Sequence, residues 1–506
     1  MPNKYLRLPV NLYSAEQVRE LDRIAIEGFD ILGYTLMHRA ALFSYQKLKE
    51  KWPEAQSITI ICGGGNNAGD GYVLAGMAKE DGKKVSVFHL SEPSTLKGDA
   101  ATAYKYLQAS GIESIKYVGQ DISNSDVIVD ALFGTGLDRD VEGEFYNVID
   151  LINSLSVSVM AIDIPSGLNA DNGNIMNIAI HAQLTSTFIG LKKGMFTNYG
   201  FQCSGEIKFN DLDVPEEVYT KLNMADKTIQ RLELDDLKSV LKPRQKNAHK
   251  GQFGHVLVVG GDEGYLGAVR MAAESAARVG AGLVSIATRK SHAGLLSAVR
   301  PEIMSQAVET VEELLPLIQK ATVIVIGPGL GQSEWAKSLL ARVLESDLPL
   351  VIDADALNLL SNELSNQFSD QDQVLPNWVI TPHPGEAARL LNTDSKTIQA
   401  DRFQAINSLH EKFPGPVVLK GCGSLIADNE GNLFICDKGN PGMSSGGMGD
   451  VLSGVIAGLI AQGINVNCAT KLGVCIHAKA GDLAAKAGER GLMAMDLMPH
   501  LRNIVN

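Results

Sequence analysis

Residues 439–460 read GNPGMSSGGMGDVLSGVIAGLI and join a glycine-rich stretch to an apolar run. The five glycines among residues 439–450 let backbone amides turn toward one point. The apolar run after Asp450 predicts a buried helix whose positive N-terminal end faces that point. Together they predict an anion site with a carboxylate at its edge.

Asp450 itself allows two interpretations. A carboxylate would repel a bound phosphate unless it served the acceptor group, so we expect Asp450 to act on a hydroxyl or water as general base or positioner. The alternative is a loop followed by a helix, with Asp450 as its N-cap. The glycine density favours the first interpretation.

Composition describes an ordinary globular protein with two domains. A chain of 506 residues is too long for one core. Apolar residues make up 45% and charged residues 20%, and the six cysteines lack CxxC or metal-ligand spacing, which favours buried thiols. The net charge of −13 argues against a nucleic acid or membrane partner. With no secretory signal and no apolar run of ~18 residues, we expect a cytoplasmic protein.

The first half opens with helical spacing over residues 14–50, where Ser14 predicts a cap. The apolar strand at residues 57–62 then leads into a glycine loop at 63–71, followed by a helix. Strand, glycine loop and helix follow one another in this order in nucleotide-binding parallel sheets. The loop is not a dinucleotide fingerprint, because Asn66, Asn67 and Asp70 load it with polar side chains. It predicts a site for a polar ligand or ion, or else a tight turn with self-satisfied side chains.

Two later strands end in carboxylates, Asp130 and Asp163. Because the carboxyl ends of parallel strands converge on one crevice, we expect Asn67, Asp130, Asp163 and Ser166 to share a site. Oxygen ligands without His or Cys suit potassium or magnesium, while Asp163 is a candidate acid or base. The last predicted strand, 182–189, brings Lys192 near the same edge. Singly, each carboxylate could be a helix cap, and Lys192 a surface residue.

Residues 210–250 become charged and lose strand character, which predicts a domain boundary. A second series of strands and glycine turns follows it. Its predicted strands end in Asp353 and Asp355 and in His383 and Glu386, so the three carboxylates are candidates for a magnesium site near a phosphate. His383 is either a substrate contact or a hydrogen-bonded turn residue. Lys420 and the glycines after it suit a nucleotide phosphate or adenine face.

Residues 14–210 resemble the NAD(P)H-hydrate epimerase domain, through the asparagine-rich loop, the turn after residue 133 and the strand end at Asp163. The resemblance implies potassium bound by Asn67, Asp130 and Ser166, and Asp163 and Lys192 as catalytic residues. Ala68 stands where this family usually has glycine. The residues that it implies for the hydrate are Asn66, Asn67, Ala68, Gly69, Asp70, Gly134, Thr135, Gly136, Leu137, Asp138, Arg139, Asp140 and Asp163.

Residues 250–504 resemble the ribokinase-like superfamily, and within it the ADP-dependent NAD(P)H-hydrate dehydratases. Ser424 and Met448 stand where relatives carry threonine. The resemblance implies Ala268, Gly329, His383 and Asp450 as contacts of the hydrate, with Asp450 catalytic. The residues that it implies for the adenine nucleotide are Lys420, Gly421, Cys422, Gly423, Ser424, Gly446, Gly447 and Gly449.

The sequence thus predicts two α/β domains: a Rossmann-like three-layer epimerase domain at 1–210 and a ribokinase-like dehydratase domain at 250–506, with a linker at 211–249. The fused enzyme is expected to epimerise R and S NADHX or NADPHX and to dehydrate the S form with ADP, giving AMP and phosphate. Potassium serves the first site and magnesium the second, and we expect a homo-oligomer. Two rivals stay open: a kinase of a small alcohol, and a nucleotide sensor without turnover.

Overall fold

The computed structural model describes residues 7–222, 229–362 and 377–506. The chain divides into two compact units, Met1–Ile229 (unit 1) and Gln230–Asn506 (unit 2). In the described parts of the chain, no helix has the length and apolar character needed to cross a membrane.

The described part of unit 1 contains seven helices and nine strands. The helices are α1 (Ala15–Gly28), α2 (Gly33–Lys51), α3 (Asn66–Glu80), α4 (Gly98–Ala109), α5 (Gly143–Ser154), α6 (Gly200–Ser204) and α7 (Glu216–Lys221). The strands are β1 (Asn11–Tyr13), β2 (Ser57–Cys62), β3 (Lys84–His89), β4 (Ser114–Lys116), β5 (Val127–Ala131), β6 (Ser158–Ile162), β7 (Leu184–Phe188), β8 (Leu191–Lys192) and β9 (Glu206–Asn210).

A parallel sheet of order β4-β3-β2-β5-β6-β7-β9 forms the centre of unit 1. Alternate side chains of its strands pack to opposite faces: Ile58 and Ile60 lie in a core with α2, α3 and α4, whereas Ile61 and Ile128 lie in a core with α5. The strand order reverses between β2 and β5, the position at which open α/β sheets bind ligands. This is the predicted three-layer arrangement.

Two expectations for unit 1 need correction. The glycine loop is shorter than predicted, because helix α3 already begins at Asn66. The helix can include Gly69 and Gly71 since it packs closely there: a Cβ on Gly69 would lie 2.6 Å from Met37, and one on Gly71 2.7 Å from Ala131. Residues 182–189 do not form the last strand, because β9 follows and pairs with β7.

Unit 2 repeats the architecture over a larger sheet. Its strands are β10 (Ile229–Arg231), β11 (His255–Val259), β12 (Leu283–Thr288), β13 (Met304–Ala307), β14 (Val323–Ile326), β15 (Leu350–Ile352), β16 (Trp378–Ile380), β17 (Val417–Leu419), β18 (Ser424–Ala427) and β19 (Leu433–Cys436). Its helices are α8 (Leu234–Leu237), α9 (Leu266–Arg278), α10 (Lys290–Val299), α11 (Val311–Ile318), α12 (Glu334–Leu344), α13 (Ala354–Asn362), α14 (Pro384–Leu390), α15 (Ser395–Ala400), α16 (Arg402–Lys412), α17 (Met448–Ala461), α18 (Val466–Ala484) and α19 (Met498–Ile504).

The strands of unit 2 follow the order β13-β12-β11-β14-β15-β16-β17-β18-β19-β10. Neighbours from β13 to β17 are parallel, β18 pairs antiparallel with β17, and β18 and β19 form the expected hairpin. Val256 and Val325 pack on one face with α9, α17 and α18, and α12 packs against β14. The order reverses between β11 and β14. The predicted class of two α/β domains with central sheets is confirmed.

The segment predicted as a linker is more structured than expected. Within residues 211–249 the chain forms α7, β10 and α8, while residues 223–228 lie outside the described residues. Strand β10 pairs with β19, and Arg231 in it is buried in an ion pair with Asp437 at 2.5 Å. Pairing with an open sheet edge explains why a charged segment becomes a strand here.

Candidate active sites

A cavity of about 890 Å³ lies at the carboxyl ends of β2, β5 and β6 in unit 1. It brings together most of the residues predicted for the hydrate. Ala68 and Gly69 do not line it, because Ala68 is fully buried and Gly69 packs on Met37. The predicted residues on its wall are Asn66, Asn67, Asp70, Gly134, Thr135, Gly136, Leu137, Asp138, Arg139, Asp140 and Asp163.

Lys192 is a buried partner of Asp163 and not the surface residue that the sequence left as an alternative. Its ammonium group donates to the Asp163 carboxylate, to Thr187 Oγ1 at 2.8 Å and to the Phe188 carbonyl at 3.3 Å. The Lys192 side chain is 0% exposed, while that of Asp163 is 17% exposed and reaches the cavity. The lysine thus stands behind the carboxylate and fixes its orientation.

The backbone at Asp163 adopts a conformation that few non-glycine residues accept, with φ at 69°. Its amide donates to the Ser186 carbonyl at 2.7 Å. Its Oδ2, the oxygen that does not accept from Lys192, accepts from the Thr135 amide at 3.3 Å. Such a conformation costs about 1 kcal/mol and persists only where surrounding bonds impose it. The fold therefore fixes the direction in which this carboxylate points.

The residues predicted for potassium converge beside the cavity. Asp130 is fully buried and accepts from the Ser166 amide at 2.8 Å and the Ser166 hydroxyl at 2.6 Å. Burial raises the pKa of Asp130 to about 6, against these hydrogen bonds. Asn67 donates to the Phe133 carbonyl at 3.0 Å, but its Oδ1 is buried without a hydrogen-bond partner among the described residues. An unpartnered buried oxygen beside a carboxylate and a carbonyl fits a hard monovalent cation.

Two more carboxylates line the same cavity, Asp22 on α1 and Asp70 on α3. Burial raises the pKa of Asp22 to about 7, Lys192 opposes that rise and Asp163 adds to it. The pKa of Asp70 is also raised, first by burial and then by Asp163 and Asp22. Asp22 is missing from the sequence prediction. Its signal was a carboxylate on the helix face that carries Val18.

The site of unit 2 is centred on Lys420, at the end of β17. Its ammonium group lies 2.8 Å from the Asp353 carboxylate and 3.6 Å from that of Glu386. The other oxygen of Asp353 accepts from the Ser453 hydroxyl of α17 at 2.6 Å. Lys420 and Ser453 hold the pKa of the buried Asp353 below its usual value, against its desolvation. The Asp353 carboxylate is therefore ionised, and each of its two oxygens accepts a hydrogen bond, one from Lys420 and one from Ser453.

Helix α17 begins inside the glycine-rich stretch, and Gly447, with φ at 91°, is its N-cap. Asp450 lies in the first turn of the helix and does not cap it, so the capping alternative is wrong. Burial raises the pKa of Asp450 to about 7, with Asp353 adding to the rise and Lys420 opposing it. Ser445 in the same stretch has a buried hydroxyl without a hydrogen-bond partner among the described residues. This hydroxyl, which the sequence analysis missed, adds a donor to the anion site.

Three predicted hydrate contacts lie at neighbouring strand ends. Gly329, with φ at 55°, packs against Ala268, since a Cβ on it would lie 3.2 Å from the Ala268 methyl group. His383 is the N-cap of α14 and its Nδ1 accepts from the Gly385 amide at 2.9 Å. Burial lowers the pKa of His383, so the ring is neutral. It is a hydrogen-bonded turn residue whose half-exposed side chain leaves an edge for a ligand.

The turn at residues 420–424 is held from beneath by a buried arginine. Arg402 donates to the carbonyls of Leu419 at 3.2 Å and Lys420 at 3.3 Å, and also to that of Cys422. Gly421 needs its glycine, because a Cβ would lie 2.7 Å from the Arg402 guanidinium. With its carbonyls turned inward, the turn presents exposed Cys422 and Ser424 outward.

The carboxylates predicted for magnesium do not form a metal site by themselves. Asp353 and Glu386 face Lys420, and Asp355 accepts from the Gly331 amide at 2.9 Å. Across the described ranges, no three acidic, histidine or cysteine side chains converge closely enough to hold a metal ion. The three carboxylates do not form the predicted magnesium site because each already has a partner within the protein.

Comparison with known proteins supplies the family. A family model described as NAD(P)H-hydrate dehydratase matches residues 256–503, and one described as YjeF-related protein N-terminus matches residues 33–194. The bifunctional NAD(P)H-hydrate repair enzyme Nnr of Coxiella burnetii is 48% identical over 98% of this chain and 99% of its own length. The chain belongs to the bifunctional NAD(P)H-hydrate repair enzyme family.

Other members of this repair enzyme family span the whole chain as well. The Escherichia coli enzyme is 39% identical over 100% of this chain and 96% of its own length. The Leishmania braziliensis enzyme is 36% identical over 98% of this chain and 94% of its own length. The resemblance inferred from the motifs is therefore confirmed for both halves, while the roles of single residues stay predictions.

Proposed function

We propose that this chain repairs nicotinamide nucleotides that have taken up water. Unit 1 interconverts the R and S hydrates of NADH and NADPH, and unit 2 dehydrates the S hydrate with ADP, giving NAD(P)H, AMP and phosphate. The observation that carries the proposal is full-length similarity to bifunctional NAD(P)H-hydrate repair enzymes. The predicted limits, 1–210 and 250–506 with 211–249 between them, belong to this proposal, as do a cytoplasmic location and a homo-oligomeric state.

In unit 1 the Asp163 side chain is the base. Lys192 holds it without entering the cavity, so the lysine positions the base and does not touch the substrate. Asn67, Asp130, Ser166 and the Phe133 carbonyl would hold potassium, which when bound offsets the negative charge of the substrate phosphates. The loop that begins at Gly134 closes the wall above Asp163, because a Cβ on Gly134 would lie 3.1 Å from its Oδ2.

In unit 2 the start of α17 receives the phosphoryl group that is transferred. The amides from Gly446 to Gly449 and the Ser445 hydroxyl supply donors, and the helix end supplies a positive potential. Asp450 takes the proton of the hydrate hydroxyl as its oxygen attacks the β-phosphorus of ADP, and AMP leaves. Lys420, next to Gly449, offsets the charge that develops. ADP is thus a co-substrate of this step.

The phosphorylated hydrate then loses phosphate. Its carbon–oxygen bond breaks with the electrons going to phosphate, the neighbouring carbon gives up a proton, and the ring double bond returns. Hydroxide is a poor leaving group and phosphate a good one, which explains why a dehydratase needs a phosphoryl donor. The chemistry fits a glycine-rich anion site with one carboxylate at its edge.

One incubation tests the proposal and separates it from both rivals. The purified full chain is mixed with both epimers of the NADH hydrate, with and without ADP, and the absorbance of NADH is followed. We expect both epimers to be consumed with ADP, and the R to S ratio to equilibrate without it. A stable phosphorylated product would instead indicate a small-molecule kinase. Binding of ADP without turnover would indicate a sensor.

A further inference from the structure

The wall of the cavity in unit 1 carries a carboxyl group, that of Asp22, to which the proposed mechanism assigns no role. Asp22 lies on α1, and its neighbours on the cavity wall, Val18 and Ile26, are each one helical turn away. Helix α1 thus places the Asp22 carboxylate between two apolar residues on the cavity wall. The carboxylate is close enough to Lys192 and Asp163 to interact with both.

A structural role does not account for Asp22. Among the described residues, no hydrogen bond contributes to the environment of its carboxylate, which is set by burial and by charges alone. Buried carboxylates that stabilise a fold are normally paired or hydrogen-bonded. An unpaired carboxylate on α1 that faces a cavity is better explained by a ligand.

Burial and the charges around the cavity set the protonation of Asp22. Three carboxylates, Asp22, Asp70 and Asp163, surround the ammonium group of Lys192, which forms its ion pair with Asp163. The wall also carries two arginines, Arg19 and Arg139, and Arg19 turns its guanidinium to the Thr135 carbonyl at 3.1 Å. Like charges that share a site cannot all ionise. Asp163 is the member paired with the ammonium group. Burial raises the pKa of Asp22 to about 7, so Asp22 can hold and give a proton near neutral pH.

A second feature of the same wall points to a ligand. Asn67 lines the cavity, and its Oδ1 is buried and lacks a hydrogen-bond partner within the described parts of the chain. The Asn67 residue is only 7% exposed. The wall therefore carries both an oxygen suited to potassium and a carboxyl group without a partner, and bound ligands explain both.

We propose that Asp22 is the general acid of the epimerisation, and that it works opposite Asp163 as base. This rests on the proposed function of unit 1. Addition of water to the enamine of the reduced ring places the hydroxyl on the carbon next to the ring nitrogen. Asp22 gives its proton to that hydroxyl, the carbon–oxygen bond breaks, and the nitrogen lone pair forms a carbon–nitrogen double bond. Water adds to the other face and yields its proton to Asp163, after which the two carboxyl groups exchange the proton through solvent.

The experiment follows epimerisation and oxygen exchange together, because bond cleavage predicts both. The full chain without ADP receives one epimer of the NADH hydrate in heavy-oxygen water. Chromatography reports the epimer ratio and mass spectrometry the label. Asp22→Asn keeps the size of the side chain and removes the acid, so we expect both rates to fall on the order of 100-fold together. Glu20→Gln is the matched control, since Glu20 lies on the same helix in an exposed pair with Arg23.

A second variant separates lost chemistry from lost folding. Asp22→Ala removes the side chain, and added formate should restore part of both rates if a diffusible acid can replace it. An Asp22→Asn enzyme with wild-type rates, an equal loss in Glu20→Gln, or epimerisation without uptake of label would overturn the proposal. A wild-type chain that does not epimerise at all would overturn the proposed function of unit 1 instead, so the two failures are distinguishable.

Discussion

The two sites solve the same electrostatic problem with different surroundings. Each has a lysine whose ammonium group contacts a carboxylate: Lys192 contacts Asp163 in unit 1, and Lys420 contacts Asp353 and Glu386 in unit 2. Each also has a carboxyl group whose pKa burial raises to about 7, Asp22 in the first and Asp450 in the second. In both, a carboxylate paired with lysine accompanies a carboxyl group that titrates near neutral pH.

The difference between the sites lies in what the lysine faces. Lys192 is closed off behind Asp163, and the cavity wall is made of side chains from several elements. Lys420 lies beside Gly449 at the start of α17, where the amides of the first turn lack partners within the helix. Acid and base side chains suffice to break a bond next to a ring nitrogen. Moving a phosphoryl group requires donors around a negative charge, and a glycine-rich helix start supplies several of them.

The largest effect is expected at Asp450. Asp450→Asn keeps the shape of the side chain but removes the base, so ADP-dependent formation of NADH from the S hydrate should fall on the order of 1,000-fold. Epimerisation in the same preparation should be unchanged, which also controls for folding. Retained dehydration would remove Asp450 from its proposed role.

Lys192 should matter for both activity and stability. Lys192→Met leaves Asp163 as a buried charge without its partner, so unit 1 should lose about 3 to 5 kcal/mol of unfolding free energy. Epimerisation should fall on the order of 100-fold because the base is no longer held in its orientation. Urea unfolding and the epimer ratio measure the two effects. Lys193→Met is the control, since Lys193 lies 4.0 Å from Asp171 and its side chain is 22% exposed; similar losses in both variants would contradict the role of the Lys192 pair.

The two activities should respond to pH in opposite directions. Asp450 acts as a base and must be ionised, so the dehydration rate should rise about tenfold per pH unit up to its pKa of about 7 and then level off. Asp22 acts as an acid, so epimerisation should decline with the same slope above its pKa of about 7. Rates of both reactions across one buffer series provide the measurement. Parallel profiles would show that the two carboxyl groups do not have opposite roles.

The smallest effect is expected at the N-cap of α17. In Gly447→Ala the new methyl group would overlap the Met271 side chain, and the φ of 91° disfavours alanine. The strain costs about 1 to 2 kcal/mol, so the KM for ADP should rise several-fold while the kcat for the bound complex changes less. Gly446→Ala is the control, since a Cβ at Gly446 meets nothing within 4 Å. Equal KM values in the two variants would argue against a shaped anion site.

Much of the fold could be predicted because the buried strands of a parallel sheet appear in the sequence as short apolar runs. The apolar run at residues 57–62 coincides with β2, and Asp130 in β5 contacts Ser166 after β6 because neighbouring parallel strands end at one edge. The start of α3 could not be predicted, since it depends on the space that Met37 and Ala131 leave for Gly69 and Gly71. That space exists only after the helices have packed.

Two of the residues that were missed, Asp22 and Arg402, have roles that depend on distant parts of the chain. Asp22 lies on α1, which directly follows β1, and β1 pairs with β8, the strand that carries Lys192. Arg402 finds its acceptors in a turn 17 to 20 residues later. Local spacing contains no trace of such contacts, whereas the glycine-rich stretch before α17 is a local feature and could be found.

The burial of Lys192 has a practical consequence for work with this protein. Amine-reactive labels and coupling resins modify lysines that solvent can reach, and Lys192 is 0% exposed. Random attachment through surface lysines should therefore spare the ammonium group behind Asp163, so an immobilised column of this enzyme should still equilibrate the two epimers.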